Sequence, residues 1–124
     1  MSKNAPKKLP GVTYQDRLKL LRQQTSQELE ERVNFLAEKL CATFKITAEE
    51  FFNGSRTQKT VNMRWLLWKV LRDTGYSLTE IGHAVDRDHS TILHALKKPV
   101  PEGYEKLYAQ LTTLNKRFTK EHSQ

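Results

Sequence analysis

Five consecutive residues that can each donate or accept a hydrogen bond follow a predicted turn at Val85-Asp86. They are Arg87, Asp88, His89, Ser90 and Thr91. Such a run at a helix start suits the edges of DNA base pairs, because arginine bonds guanine bidentately, aspartate accepts from cytosine, and serine or threonine bonds either way. The alternative is a solvated helix start in which Asp88 only caps the backbone. Since Asp86 is an equally good cap, Asp88 is expected to be available for recognition.

The residues around this run predict a helix-turn-helix, two short helices joined by a tight turn. Ser77 and Glu80 form a capping box that opens the first helix, which runs through Ala84. The second helix is predicted from about residue 87 to residue 97. Gly82 has no side chain, which allows close packing. Apolar residues of both helices are expected to face inward: Leu78, Ile81, Val85, Ile92, Ala95 and Leu96.

The strongest predicted helix, residues 60–73, is expected to lie buried at the centre, with Trp65 and Trp68 as core anchors rather than platforms for base stacking. Residues 55–59 before it are predicted to form a polar, basic loop. A further capping box, Thr47 with Glu50, opens a short helix that ends at Asn53-Gly54.

Upstream, apolar spacing predicts a short helix over residues 14–24, and Thr25 with Glu28 predicts a new helix start. Residues 26–43 then carry an apolar stripe from Leu29 to Leu40. Packing of this stripe onto the chain's own core is the simpler account, and an interhelical dimer seam is the alternative. Cys41, the only cysteine, is expected to be a small core residue.

The predicted fold class is all-α: a compact helical domain with a helix-turn-helix, flanked by N- and C-terminal helices. Three regions are predicted. Residues 1–25 form a basic flexible arm with a possible short helix, residues 26–98 form the helix-turn-helix domain, and residues 99–124 form an amphipathic helix and tail.

The charge is unevenly distributed, and this favours a nucleic-acid partner. The chain has a formal net charge of +7. Residues 26–53 carry three Lys/Arg against six acids, whereas residues 54–98 carry eight against four. One surface is therefore expected to face phosphates and another to face away, since cationic residues release counterions from DNA.

Several other classes of function are not expected. Asp88, His89 and Ser90 do not form a catalytic relay, because adjacent helix residues point in different directions. The spacing of His83, His89 and His94 does not place metal ligands on one helical face. The longest apolar run, residues 65–68, is too short to span a membrane. We therefore expect a cytoplasmic, nucleoid-associated protein that is not an enzyme and needs no cofactor or metal.

Two segments, residues 77–82 and residues 87–95, closely resemble the signature of the DNA-binding domain, domain IV, of the bacterial replication initiator DnaA. The resemblance extends over roughly residues 33–98. It implies base contacts in the major groove from Arg87, Asp88, His89 and Ser90, and a minor-groove contact from Arg56. It also implies contacts to the groove or phosphates, for which the candidate residues are Thr91, Arg64, Lys59, Lys97 and Lys98.

The chain departs from the DnaA pattern in three respects. It contains no Gly-rich phosphate-binding loop, its basic loop has only Lys59 as a cation besides Arg56, and residues 64–77 are one residue shorter than usual. The expected function is sequence-specific binding of double-stranded DNA, with DnaA-box-like sites as candidate targets, in a replication or transcription regulator without ATPase activity. The alternative is an accessory module that binds a replication or transcription protein through residues 26–43 or the C-terminal helix.

Overall fold

The computed structural model describes residues 14–53 and 56–122, and every regular element in those two ranges is an α-helix. This confirms the all-α prediction. The predicted arm at residues 1–13 lies outside the described residues. In chain order the helices are α1 (Tyr14–Phe44), α2 (Ala48–Asn53), α3 (Gln58–Thr74), α4 (Leu78–Val85), α5 (His89–Leu96) and α6 (Glu105–Glu121).

Helix α1 is continuous, so the predicted break at Thr25 was wrong. The hydroxyl of Thr25 donates to the carbonyl oxygen of Leu21 at 3.0 Å, the bond of a threonine inside a helix rather than at its start. The spacing of Thr25 and Glu28 resembles a capping box. The residues before them are good helix formers, however, so the helix passes through.

Two other capping boxes are confirmed. Glu50 N–H donates to Thr47 Oγ1 at 3.0 Å and Thr47 N–H donates to Glu50 Oε1 at 3.1 Å, which starts α2. Ser77 and Glu80 make the same reciprocal pair at the start of α4. Helix α3 begins at Gln58, two residues earlier than predicted. Thr57 is its N-cap residue, and the Thr57 side chain accepts a hydrogen bond from Thr60 N–H.

The start of α5 also differs from the prediction, because Asp88 occupies the N-cap position and the helix begins at His89. Asp86 does not serve as the N-cap, since it ends α4 in a left-handed conformation with φ of 56°. Arg87 therefore precedes the helix instead of opening it. Its backbone N–H donates to the carbonyl oxygen of Gly82 at 2.9 Å.

The core is centred on α3, as the sequence predicts. The indole N–H of Trp65 donates to the carbonyl oxygen of Ala95 at 2.9 Å, which ties α3 to α5. The α1 stripe packs onto this same core, and buried Cys41 lies beside it. Burial raises the pKa of the Cys41 thiol. The side chains without exposed surface include Leu36, Leu40, Met63, Leu66, Leu67, Leu71, Ile81 and Ile92.

Buried Arg32 joins α1 to α6, a contact that the sequence did not predict. Its side chain is 2% exposed, and one guanidinium nitrogen, Nη1, donates to Asn115 Oδ1 at 2.6 Å and to Thr119 Oγ1 at 2.8 Å. The guanidinium also lies 4.7 Å from the ring centroid of Phe118. These contacts hold α6 against the helix-turn-helix core and fix the orientation of α1.

Candidate nucleic-acid interface

The start of α5 presents three polar side chains at the surface. The side chains of Asp88 and His89 are 66% and 62% exposed, and Ser90 is half-buried. Ser90 Oγ donates to Asp88 Oδ2 at 2.7 Å, and His89 Nδ1 lies 3.3 Å from Asp88 Oδ1. Although Asp88 is the N-cap residue, the main hydrogen bond of its carboxylate comes from the Ser90 hydroxyl, and the backbone N–H groups of His89 and Ser90 interact with it only weakly. The carboxylate is therefore held by its neighbours and remains accessible from solvent.

The same neighbours keep Asp88 ionised. The hydrogen bond from the Ser90 hydroxyl lowers the pKa of Asp88 below its usual value of 3.8, with a smaller contribution from His89. A carboxylate accepts hydrogen bonds only and can bind an amino group such as that of cytosine. Asp88 is in this acceptor form throughout the neutral pH range.

Arg87 points away from this cluster and towards α2. Its Nη2 donates to the carbonyl oxygen of Phe52 at 3.0 Å, and its Nη1 donates to the carbonyl oxygen of Asp86 at 3.1 Å. The side chain is half-buried. Helix C-termini leave carbonyl oxygens without intrahelical partners, and cations are favourable there. The guanidinium therefore links the residue before α5 to the end of α2.

Arg64 of α3 binds the same end of α2. Its Nε donates to the carbonyl oxygen of Phe51 at 2.7 Å and its Nη2 donates to that of Glu50 at 3.4 Å. Burial lowers the pKa of Arg64, and the charge of Arg87 lowers it further. Two guanidinium groups thus share one helix end, and Arg56 follows that end three residues later in the sequence.

A groove of about 640 Å³ lies beside α5, between this helix, α3 and the segment after α5. Its apolar walls include Trp65, Trp68 and Val61. The structure brings four of the sequence-predicted residues together around it, namely Arg64, Arg87, Thr91 and Lys98. The groove thus carries three cations and one acidic residue, Glu102, along α5.

The remaining predicted residues lie apart from the groove. Arg56 is exposed just before the N-cap of α3. Lys59 is in the first turn of α3 rather than in a loop, and its Nζ lies 6.0 Å from the ring centroid of Phe44. Lys97 is exposed at the C-terminal cap of α5. These three cations surround the interface without sharing one cluster.

Gly82 sets the distance between α4 and the start of α5. A Cβ atom at this position would lie 2.5 Å from the carbonyl oxygen of Arg87, closer than van der Waals contact allows. The obstructing atom belongs to the backbone, so it cannot rotate away. The absent side chain, predicted to allow close packing, is what brings Arg87 and Asp88 into place.

Comparison with known proteins identifies the family. The bacterial DnaA protein helix-turn-helix matches residues 33–98, more than half of the chain. This chain belongs to that family. The matched region contains α2 to α5 and therefore the whole interface described above.

The curated relatives that this DnaA-type domain matches are named chromosomal replication initiator protein DnaA. The protein from Clavibacter sepedonicus is 33% identical over 85 residues, which cover 65% of this chain and 18% of that protein. The protein from Caldanaerobacter subterraneus subsp. tengcongensis is 32% identical over 89 residues, covering 69% and 20% respectively. The chain thus spans about a fifth of the curated relatives it matches. No solved structure matched significantly.

Residues 14–53 and 56–122 contain no group of three or more His, Cys, Asp or Glu side chains placed to hold a metal ion. In the same ranges no helix is both long and apolar enough to cross a membrane.

The sequence did not reveal that the end of α2 is a binding site for Arg64 and Arg87. The acceptors are backbone carbonyl oxygens, which every residue carries, so no residue type marks them. The only sequence signal was a short helix followed by a glycine and a basic segment. That signal predicts where α2 ends, but it does not predict that Arg64 and Arg87 donate to the carbonyl oxygens there.

Proposed function

We propose that this DnaA-type domain binds double-stranded DNA in a sequence-dependent manner and acts as a replication or transcription regulator. The observation that carries the proposal is the exposed, hydrogen-bonded cluster of Asp88, His89 and Ser90 at the start of α5. In a helix-turn-helix the second helix enters the major groove with its N-terminal residues towards the bases. The cluster occupies that position.

In this proposal Asp88, His89 and Ser90 contact base edges in the major groove. Asp88 accepts from a cytosine or adenine amino group, and Ser90 supports it from within the helix. Thr91, which is exposed one residue further on, contacts the groove or its phosphates. A well-placed contact of this kind contributes about 1–3 kcal/mol of discrimination against a wrong base.

Arg56 is assigned to the adjacent minor groove, and four cations to the phosphates: Arg64, Lys59, Lys97 and Lys98. Phosphate contacts fix the register of the protein on the duplex and base contacts give the sequence preference. Arg64 and Lys98 line the same groove as Thr91 of α5, and this supports their assignment. The assignment of Lys59 has the weakest support, because its Nζ lies 6.0 Å from the ring centroid of Phe44.

Arg87 receives an indirect role in base reading. Because its guanidinium already donates to Phe52 and Asp86 carbonyl oxygens, we assign it to holding the start of α5 against α2. This replaces the direct guanine contact that the sequence and the family resemblance suggested. Asp88, His89 and Ser90 then read bases from a position that Arg87 fixes.

DnaA-box-like sites are the proposed targets, since the relatives have the name of the chromosomal replication initiator. A mobility-shift titration should compare a duplex carrying such a site with a scrambled duplex of equal length and composition, at about 50 and 200 mM salt. We expect tighter binding to the site at both salt concentrations, and weaker binding to both duplexes at the higher one. Arg56→Ala should weaken binding to the site. The control Arg117→Ala, at an exposed residue of α6, should not.

Equal affinity for the two duplexes would reduce the domain to a non-specific basic protein. No shift at the lower salt concentration would contradict DNA binding altogether. That result would favour the alternative function, a module that binds a replication or transcription protein.

A further inference from the structure

The first turns of α1 carry an apolar face that the rest of the described chain leaves uncovered. Tyr14 is 69% exposed and Leu21 58%, and with Leu18 they recur at spacings of four and three, which places them on one side of the helix. Further along α1 the apolar stripe from Leu29 to Leu40 is buried in the core. The apolar surface of α1 therefore continues beyond the core that covers its second half.

Leu18 and Leu21 of this face form part of one wall of an open groove of about 570 Å³ between α1 and α4. The α4 wall is formed by Ala84, with His83 and Glu80 beside it. Glu30 of α1 lies on the same groove. The site is thus an apolar trough bordered by two carboxylates and by one cation, Arg22, at the α1 end. It uses none of the residues assigned to DNA.

The charges bordering the trough identify the occupant. Phosphates of DNA or of an anionic lipid would be repelled by Glu30 and Glu80. A helix with apolar residues and basic neighbours would be attracted, since opposite charges across an interface favour association. The first turns of α1 are such a helix: besides Tyr14, Leu18 and Leu21 they carry three basic residues, Arg17, Lys19 and Arg22.

We propose that a second copy of this chain occupies the trough, with the two α1 helices antiparallel. Residues 14–22 of each copy lie along the trough of the other, so that Leu18 and Leu21 are buried and the basic residues meet Glu30 and Glu80. A two-fold axis repeats the same contacts on both sides, as a self-complementary interface requires. The start of α5 stays uncovered in both copies.

The chain offers a matched pair of substitutions to test this. Leu20 is 54% exposed, close to the value for Leu21, but it lies on another side of α1 and does not line the trough. In sedimentation velocity over a concentration series, Leu21→Glu should raise the dissociation constant of the dimer at least about tenfold, because each dimer buries this side chain twice. Leu20→Glu should leave it within about twofold. Circular dichroism checks that both variants remain helical.

A second pair tests the charges. Glu30→Lys should weaken association, whereas Glu31→Lys, the same change at an exposed residue of α1 that does not line the trough, should not. Added salt should weaken association of the unmodified chain, because it screens the same attraction. Equal effects of the two lysine substitutions would contradict the assigned groove.

Three results would overturn the proposal. A chain that stays monomeric at several hundred micromolar has no such interface. Equal effects of Leu21→Glu and Leu20→Glu would place the interface elsewhere. Binding of the apolar face to anionic vesicles without self-association would assign the face to a lipid surface. None of these results depends on whether the domain binds DNA.

Discussion

At the scale of single residues, the start of α5 is built so that one carboxylate is both oriented and ionised. Ser90 donates to Asp88 and lowers its pKa, and His89 lies beside it. An acceptor fixed before DNA arrives loses less freedom on binding than a mobile one. The specificity proposed for this domain therefore depends strongly on Asp88.

Asp88→Asn should relax the preference at one base pair. The amide keeps the shape of the side chain, but it replaces one acceptor oxygen with a donor that a cytosine amino group cannot bind. We expect a loss of about 1–3 kcal/mol on the preferred duplex and little change on a duplex altered at that pair. Titration of the chain against a panel of single-pair variants measures this. Glu31→Gln is the control that removes a charge far from the interface.

Tyr108 provides a residue-scale test of the packing between α3 and α6. Its hydroxyl donates to Asp73, and burial together with that carboxylate raises the pKa of Tyr108 to about 12. Because this is above the unfolded value of about 10, the contribution to stability is complete below about pH 10 and is lost as the pH rises towards 12.

Tyr108→Phe should lower the free energy of unfolding at about pH 8 and flatten its decline between pH 10 and 12. Urea unfolding across this range, together with phenolate absorbance, measures both effects. Tyr14→Phe is the matched control, because Tyr14 is 69% exposed. An unchanged pH dependence in Tyr108→Phe would contradict the Asp73 contact.

At the scale of elements, the end of α2 is bound by arginines from two regions that we propose to contact DNA. Arg64 of α3 and Arg87 before α5 both donate to its carbonyl oxygens. The chain then continues from α2 towards Arg56. These hydrogen bonds therefore hold α3 and the start of α5 against the end of α2.

Arg87→Ala should reduce affinity without abolishing the preference at any single base pair. Loss of a charged hydrogen bond at a helix end corresponds to about 1–2 kcal/mol. The effect of Arg56→Ala should be smaller in the Arg87→Ala background, since the loop is then no longer held in register. A double-mutant cycle on the same duplex panel measures this coupling. Loss of preference at one pair alone would restore the direct guanine contact.

Gly82→Ala should destabilise the helix-turn-helix. Alanine is favoured over glycine inside a helix by about 1 kcal/mol, but the added Cβ would lie 2.5 Å from the Arg87 carbonyl oxygen. We expect the clash to outweigh that gain and to cost about 1–3 kcal/mol in net stability. Thermal unfolding measures the change. His83→Ala, an exposed neighbour in α4, should not destabilise the domain, and a stabilised Gly82→Ala would contradict the close approach.

At the scale of the whole molecule, the distribution of charge favours one orientation of a DNA duplex on the protein. The segment from residue 54 to residue 98, which carries the interface, is basic, whereas residues 26–53 are acidic. An approaching duplex is therefore expected to be attracted to the α3–α5 side and repelled by the acidic residues of the segment 26–53. The trough between α1 and α4, bordered by Glu30 and Glu80, is left for a protein partner.

The sequence predicted much of this molecule because its signals are local. The capping boxes at Thr47 and Ser77 and the apolar spacing of α3 depend on residues within one or two turns. It failed where a distant partner decides. Buried Arg32 is satisfied by α6, and Arg87 binds a backbone oxygen that no residue type marks. At Thr25 the error was local, because its cap-like spacing lies within a run of good helix formers.

The most direct test of the account is to map the DNA-binding surface by two-dimensional NMR of the labelled chain titrated with a duplex carrying a DnaA-box-like site. We predict that the largest amide shifts fall at residues 56–59 and 87–91, with smaller shifts at residues 97–98 and almost none on the exposed side of α6. Largest shifts in the first turns of α1 or on α6, with the start of α5 unmoved, would contradict DNA reading by the recognition helix.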